Sequence, residues 1–436
     1  MRRIRVLGLA LALVILALAV PARVEATDGY FPIGYGVTAE GMAGAATAVT
    51  GDAFGGANNP ATMVWGGEQL NIGVEWFQPR RSGARYGANF PTINGKVDSG
   101  NDAFFDDTNN FFIPSIGYNH MLGNDLSIGV TAYGNGGMDT DYDRTNFNFG
   151  HGPANLLGGN GKLGVDLMQL IVAPTLSWRF AHNQSIGLSP LLAYQRFKAD
   201  GLGAFAPYSV DPSNLTNRGY DDSFGVGVRL GYYIQLTPWL SAGAAWSSRV
   251  SMSRLTKYSG LFAQHGSFDL PENYNVGIAV RPDNDWLLAL DYQHIAYSQV
   301  HSVGDPLSKL MQGNLLGSDN GPGFGWHDVD AIKFGVQYKV SKQWTVRAGY
   351  AHCNNPVTPD NVTINLIAPG VTSDHMTLGV SYNIGHDQTL TGAYVHAFQN
   401  SVSGPSFFNT PGQITGATET AQMYQDSFAV EYSTKL

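Results

Sequence analysis

The sequence predicts an all-β fold, a 14-stranded antiparallel transmembrane β-barrel with an N-terminal hatch inside its lumen. Three observations carry this expectation: a secretory leader, apolar alternation with period two along most of the chain, and connections that sort into tight turns and long polar loops.

The chain opens with Met1, Arg2, Arg3, Ile4 and Arg5, an apolar run over 6–20, and Val24-Glu25-Ala26 as an A-x-A-like close. This is the pattern of a signal peptide over 1–26, and the run is shorter than the roughly 20 residues a spanning helix needs. Its removal takes away four Arg and one Glu, and the net charge of −9 becomes −12. So acidic a chain lacks the concentrated positive surface that nucleic acid requires. A single cysteine, Cys353, rules out an internal disulfide. Mean hydropathy is slightly negative although aromatics reach 12%. A barrel resolves that conflict, because alternating lipid-facing and lumen-facing residues average out.

Residues 27–67 form the second region. Gly, Ala and small polar residues dominate 34–56 with no period long enough for a membrane strand. A 14-stranded barrel encloses a lumen, and the segment reads as its plug.

From 68 to 436 the chain reads as barrel. Ile332, Phe334, Val336 and Tyr338 share one face while Lys333, Gly335, Gln337 and Lys339 share the other. Candidate strands lie at 68–78, 109–121, 125–137, 165–180, 184–198, 219–236, 239–251, 268–281, 285–299, 326–340, 343–352, 372–384, 388–400 and 420–434. Tight turns such as Thr237-Pro238 and Ser341-Lys342 alternate with polar connections of roughly 15 to 30 residues. A β-sandwich does not sort its loops this way. Trp178, Trp239, Trp246, Trp286 and Trp344 fall near strand ends, where an amphipathic ring suits the membrane boundary. Phe428, Val430, Tyr432 and Leu436 keep one apolar register to the C-terminus.

Gly41-Met42-Ala43-Gly44-Ala45-Ala46, Asp52 and Asn59-Pro60-Ala61 resemble the hatch of the FadL-type transporters of Gram-negative outer membranes. The block 126–143, Phe268-Asp269-Leu270-Pro271 with Tyr274-Asn275-Val276-Gly277, Arg347-Ala348-Gly349-Tyr350 and Ala368-Pro369-Gly370 are similar to later parts of that family. The resemblance implies passive uptake of hydrophobic molecules. Loops capture a ligand, it moves to a pocket against the hatch (motif Asn59, Pro60, Ala61), and it leaves sideways into the bilayer through a gap in the wall. Long-chain fatty acids are the first expected ligand, with aromatic or alkane hydrocarbons as the alternative; a hydrolase or a general porin is the more distant reading.

Several residues are candidates for that work. Gly134, Asn135, Gly136 and Gly137 interrupt the third strand, and glycines there mark a bulge or bend, or else the start of a loop. Tyr30, Phe31 and Ile33 form an apolar start to the mature chain, suited to lining a ligand pocket or to simple packing. The connections 202–208 (LGAFAPY) and 258–262 (YSGLF) hold Phe205, Tyr208, Leu261 and Phe262, more apolar side chains than a watery loop keeps without covering or capturing something. Arg229, Lys333 and Arg347 face the lumen, with Arg347 the candidate partner of a carboxylate headgroup. Gly159-Asn160-Gly161-Lys162-Leu163-Gly164 matches GxGxxG but runs into a strand, so no helix terminus follows to bind phosphate. There is no G-x-S-x-G, H-E-x-x-H or C-x-x-C. The expectation is a monomeric, non-enzymatic barrel without metal or cofactor, in contact with outer-membrane lipid and lipopolysaccharide.

Overall fold

The computed structural model describes residues 28–87, 95–100, 108–143, 147–148, 153–385, 387–409 and 416–436. The expected signal peptide lies outside them. Fourteen strands form the wall: β1 (Gln69–Tyr86), β2 (Phe111–Met121), β3 (Leu126–Tyr142), β4 (Leu163–Ala181), β5 (Gln184–Asp200), β6 (Asp221–Thr237), β7 (Leu240–Ser247), β8 (Asn273–Val280), β9 (Trp286–Ile295), β10 (Val329–Lys339), β11 (Trp344–Cys353), β12 (Asp374–Gly385), β13 (Gln388–Pro405) and β14 (Thr418–Lys435). Each pairs antiparallel with its sequence neighbours, and β14 returns to β1 in unbroken register from Gln69↔Lys435 to Tyr86↔Thr418, so the sheet closes. Closure removes the two free edges an open sheet would present to hydrocarbon.

All fourteen strands fall where the alternation places them, but several run longer. β1, β3 and β13 continue to Tyr86, Tyr142 and Pro405, well past the expected ends at 78, 137 and 400. Their polar upper parts stand above the lipid band, where alternation fades while backbone pairing persists.

The outward face is apolar, with Val74, Ile186, Leu188, Val276, Phe334, Val346, Leu378 and Val430 exposed. Trp178, Trp239, Trp286 and Trp344 ring it at the end with the tight turns. Eight residues further along the same strands, a second belt appears. His294 Nδ1 lies 2.8 Å from Asp330, which also accepts from the Tyr292 hydroxyl. Tyr350 and His352 meet Asp374 in the same way, and Tyr394 and His396 meet Asp426. Eight residues at ~3.3 Å along a strand tilted about 40° give roughly 20 Å of height, close to the apolar band of an outer-membrane barrel.

Residues 28–67 pack against the lumen-facing side of this wall. Asp291 of β9 accepts hydrogen bonds from Ala46 N, Thr47 N and Thr47 Oγ1 at 2.9, 2.8 and 2.6 Å. Thr377 of β12 receives Ala43 N, Ser241 of β7 donates to Ala48 O, and Asn119 of β2 donates to Met63 O and Gly67 O. The small residues of both partners allow this approach: a side chain on Gly187 of β5 would sit 2.3 Å from the Pro60 carbonyl carbon, and one on Gly44 would strike Ile33 O.

Asn59 is the centre of the segment. Fully buried, it donates from Nδ2 to Thr47 O (2.8 Å) and to Tyr232 O of β6 (3.0 Å), while its Oδ1 caps the short 3-10 helix Pro60–Trp65 by accepting from Ala61 N. Pro60 occupies the first helical position, where its missing N–H costs nothing. Asn59→Leu strands two buried carbonyls and one amide, each worth about 1–3 kcal/mol. Amide exchange over 44–65 is expected to accelerate roughly tenfold or more in the folded barrel, by hydrogen-exchange mass spectrometry.

Candidate transport pathway and wall opening

The N-terminal apolar residues join the largest buried cluster of the molecule. Tyr30 lies 5.0 Å from the ring of Tyr297 (centroid to centroid), 5.7 Å from Trp326 and 6.2 Å from Phe268. The Tyr297 hydroxyl accepts from Tyr30 N and donates to Asp28 O, which fixes the start of the segment. Phe31, Phe205, Leu261 and Phe262 belong to the same cluster, with the Phe262 ring tilted between those of Phe197 and Phe268 at 4.7 and 4.9 Å. Tyr208 is only partly covered and meets Phe407 edge-on. Ile33 is placed lower, against Ala43, Ala351 and Val395.

Arg347 is not with them. It sits near the turn end of β11 and donates to Gln337 and Ser381. Arg229 donates to Ser247 at 2.6 Å and lies over the Tyr35 ring, and Lys333 forms a buried 2.7 Å ion pair with Asp28 and donates to Ile33 O and Gln293.

The wall itself is interrupted at one place. β2 pairs with β3 only from Met121↔Ser127 to Ile116↔Ala132, although both strands continue. β2 goes on to Phe111 paired with β1 alone, and β3 goes on to Tyr142 paired with β4 alone. Two local features lie just beyond the last pair. On β3 the register with β4 shifts between Gly134 and Gly136, so Asn135 bulges, and Gly136 takes φ +158° with Tyr30 O where a Cβ would be. On β2 stands Pro114, which has no N–H for a ladder. Because the β1 ladder runs through Pro114 undisturbed, the missing donor is on the β3 side.

Gly134, Asn135, Gly136 and Gly137 therefore lie within a strand, at a bulge on the edge of a break, and not in a loop. Asn135 is buried, accepts from the Tyr35 hydroxyl and donates to Gln169. Gly137 N donates to Tyr30 O at 3.2 Å, which brings the aromatic cluster to the break. An open pocket of about 340 Å³ leads there, lined by Phe77, Phe111, Met138, Trp326, Pro369 and Arg81. Pro114, Tyr297, Trp326 and Arg81 did not stand out in the sequence. Pro114 carried a readable signal, a proline in the middle of an alternating run; the others are ordinary residues until the loops fold over the lumen.

A closed wall with an apolar exterior, the chain's own N-terminal segment packed on its inner face, and a lateral break beside an aromatic pocket fit a membrane-spanning transport barrel. The comparisons specify the family. The model for outer membrane protein transport proteins (OMPP1/FadL/TodX) matches residues 34–432, and the chain belongs to that family. It is a family of transport proteins, not of enzymes, in the outer membrane of Gram-negative bacteria. Among solved structures, the fold is similar to the toluene transporter TodX of Pseudomonas putida (TM-score 0.67, 17% identity, 93% of this chain and 99% of that one). It is also similar to a FadL homologue of Pseudomonas aeruginosa (0.68, 15%, 93% and 99%) and to the toluene transporter TbuX of Ralstonia pickettii (0.62, 17%, 93% and 99%). No curated protein matches the chain by sequence.

One titratable group in the N-terminal segment bears on its docking. Burial, then the charge of the neighbouring Glu431, pushes the Glu40 carboxyl up to about 8. A carboxyl raised in the folded state holds its proton there, so the docked arrangement is favoured at low pH and loses stability as pH rises from about 4.5 through about 8. Exchange over 36–44, corrected for intrinsic rates, is expected to be faster at pH 8.5 than at pH 5.5, and Glu40→Gln is expected to flatten that difference.

Proposed function

We propose that this protein admits small, uncharged hydrophobic molecules of the monoaromatic hydrocarbon kind, which diffuse from the loop cluster to the aromatic pocket and out through the break between β2 and β3 into the bilayer. Residues 28–67 act as the hatch that keeps the lumen from being an open water channel, and the barrel works as a monomer. The observation that carries this reading is the break in pairing above Ile116↔Ala132, set beside an apolar pocket. An apolar solute gains about 25 cal/mol per Å² of surface taken out of water, so release into lipid is downhill.

The choice of an uncharged ligand over a fatty acid rests on the cations. Arg85 is paired with Glu419, Lys333 with Asp28, and Arg81 with Asp139, while Arg229 and Arg347 are occupied by Ser247 and by Gln337 and Ser381. A carboxylate meeting Arg85, Lys333 or Arg81 has to displace a charged partner, and leaving a buried charge unpaired is costly. Two of the structural relatives are described as toluene transporters, which agrees with this reading without deciding it.

Cells carrying the protein are expected to accumulate radiolabelled toluene several-fold faster than cells without it, and oleate little faster; the reverse order would restore the fatty-acid reading. Pro114→Cys with Gly134→Cys places two thiols at positions that would face each other if pairing continued, and the one natural cysteine is buried on β11. Oxidation of the pair is expected to lower toluene uptake at least tenfold, and dithiothreitol to restore it. Uptake indifferent to a verified cross-link would remove the lateral route.

A further inference from the structure

The break in the wall is bounded below by the Ile116↔Ala132 pair and above by a different kind of contact. β1 pairs with β2 up to Phe77↔Phe111 and with the short strand Gly95–Asp98 from Ser82↔Asp98 upward. Between them, 78–81 have no strand on that side, and Pro79 has no donor to offer one. Across the break, 133–142 of β3 have no strand on the β2 side among the described residues. One buried side chain, Arg81, crosses from one edge to the other. Its guanidinium donates to the Asp139 main-chain carbonyl on β3 and lies 3.6 Å from the Asp139 carboxylate. It also donates to Thr108 O and, at 3.0 Å, to Asn109 Oδ1, just before β2 begins. The same side chain lies 5.9 Å from the Phe111 ring centroid and lines the pocket that leads to the opening.

From this geometry we infer that Arg81 is a specificity-determining residue, the tie that sets the upper limit of the lateral opening and so the bulk of the solute that can leave. The inference rests on the transport reading above. A planar guanidinium with several donors in fixed directions can hold two carbonyls and a carboxylate at once, which a lysine ammonium on its flexible stem does less well. Above Arg81, Ser99 N donates to Arg81 O, Gly100 N to Asp141 O, and Asp141 N to Ser99 Oγ, so the connection after β1 and the upper part of β3 form one bonded unit. Arg81, with its partner Asp139, lies at the lower end of that unit and lines the pocket. Without it, the pocket and the unpaired edge of β3 merge into a longer slot.

Two measurements on the full-length protein test this, with Arg81→Met as the variant, Arg81→Lys as the conservative substitution, and Arg85→Met as a buried-arginine control that does not cross the break. In hydrogen exchange on barrels that keep their folded gel mobility, the amides of 138–142 are expected to exchange at least fivefold faster in Arg81→Met, less so in Arg81→Lys, and unchanged in Arg85→Met. In uptake, the ratio of phenanthrene to toluene is expected to rise at least fivefold in Arg81→Met. Unchanged exchange over 138–142 would overturn the tie. Faster exchange with an unchanged uptake ratio would overturn its role in selection. Wild-type protein that admits neither solute would overturn the transport reading and the selection role with it, while the exchange result would still decide whether Arg81 holds the two edges together.

Discussion

The requirement that backbone N–H and C=O groups be paired wherever they face hydrocarbon governs this molecule. The β1–β14 ladder meets it without a break over its whole length, and every other neighbouring pair follows around the wall. Against that background, β2 and β3 part above Ile116↔Ala132 although each continues as a strand, β3 over 133–142. The cost is contained by local substitutes: Pro79 and Pro114 have no donor to satisfy, Gly137 N finds Tyr30 O, and Arg81 supplies donors to carbonyls near the upper edge. An opening in a barrel wall thus needs chemistry on both edges and a filler from inside.

The filler is held in a particular way. Its contacts with the wall come from single polar side chains spread around the circumference, Asn119, Ser185, Ser241, Asp291, Lys333 and Thr377, each aimed at main-chain atoms of 28–67. Contacts to main chain let a segment rich in Gly and Ala sit close to the wall, beside apolar anchors such as Tyr30, Ile33 and Met42.

Much of the barrel was legible in the sequence because period-two alternation is a direct image of a wall with lipid on one side. The strand ends were less so: above the lipid band both faces of β1, β3 and β13 are polar, and alternation carries no information there. The bulge at Asn135 was visible as a glycine run, but whether it lay in a strand or a loop depends on β4 continuing to pair beyond it. Arg347 looked equivalent to Arg229 and Lys333 as a lumen charge. What separates them is height in the barrel and the identity of partners many residues away, such as Asp28 with Lys333, and a single sequence holds neither. The role of Asn59 was suggested by resemblance alone; its physical reason, one amide serving two carbonyls and a helix start, emerged only with β6 in place.

The belt of Tyr, His and Asp side chains on the outer surface works as a depth gauge. It continues on β5 and β6, where Tyr194 donates to Asp222, and Tyr194 is matched through Leu170 to Gly134 at the foot of the opening. Polar triads of this kind settle where headgroups begin, so they peg the barrel vertically and, with it, the level of the slot. On the proposed lateral route, a solute leaving beside Gly134 would be delivered at the ceiling of the outer leaflet, among the first methylenes below the sugars and phosphates, and its remaining journey would be one of partitioning across a bilayer.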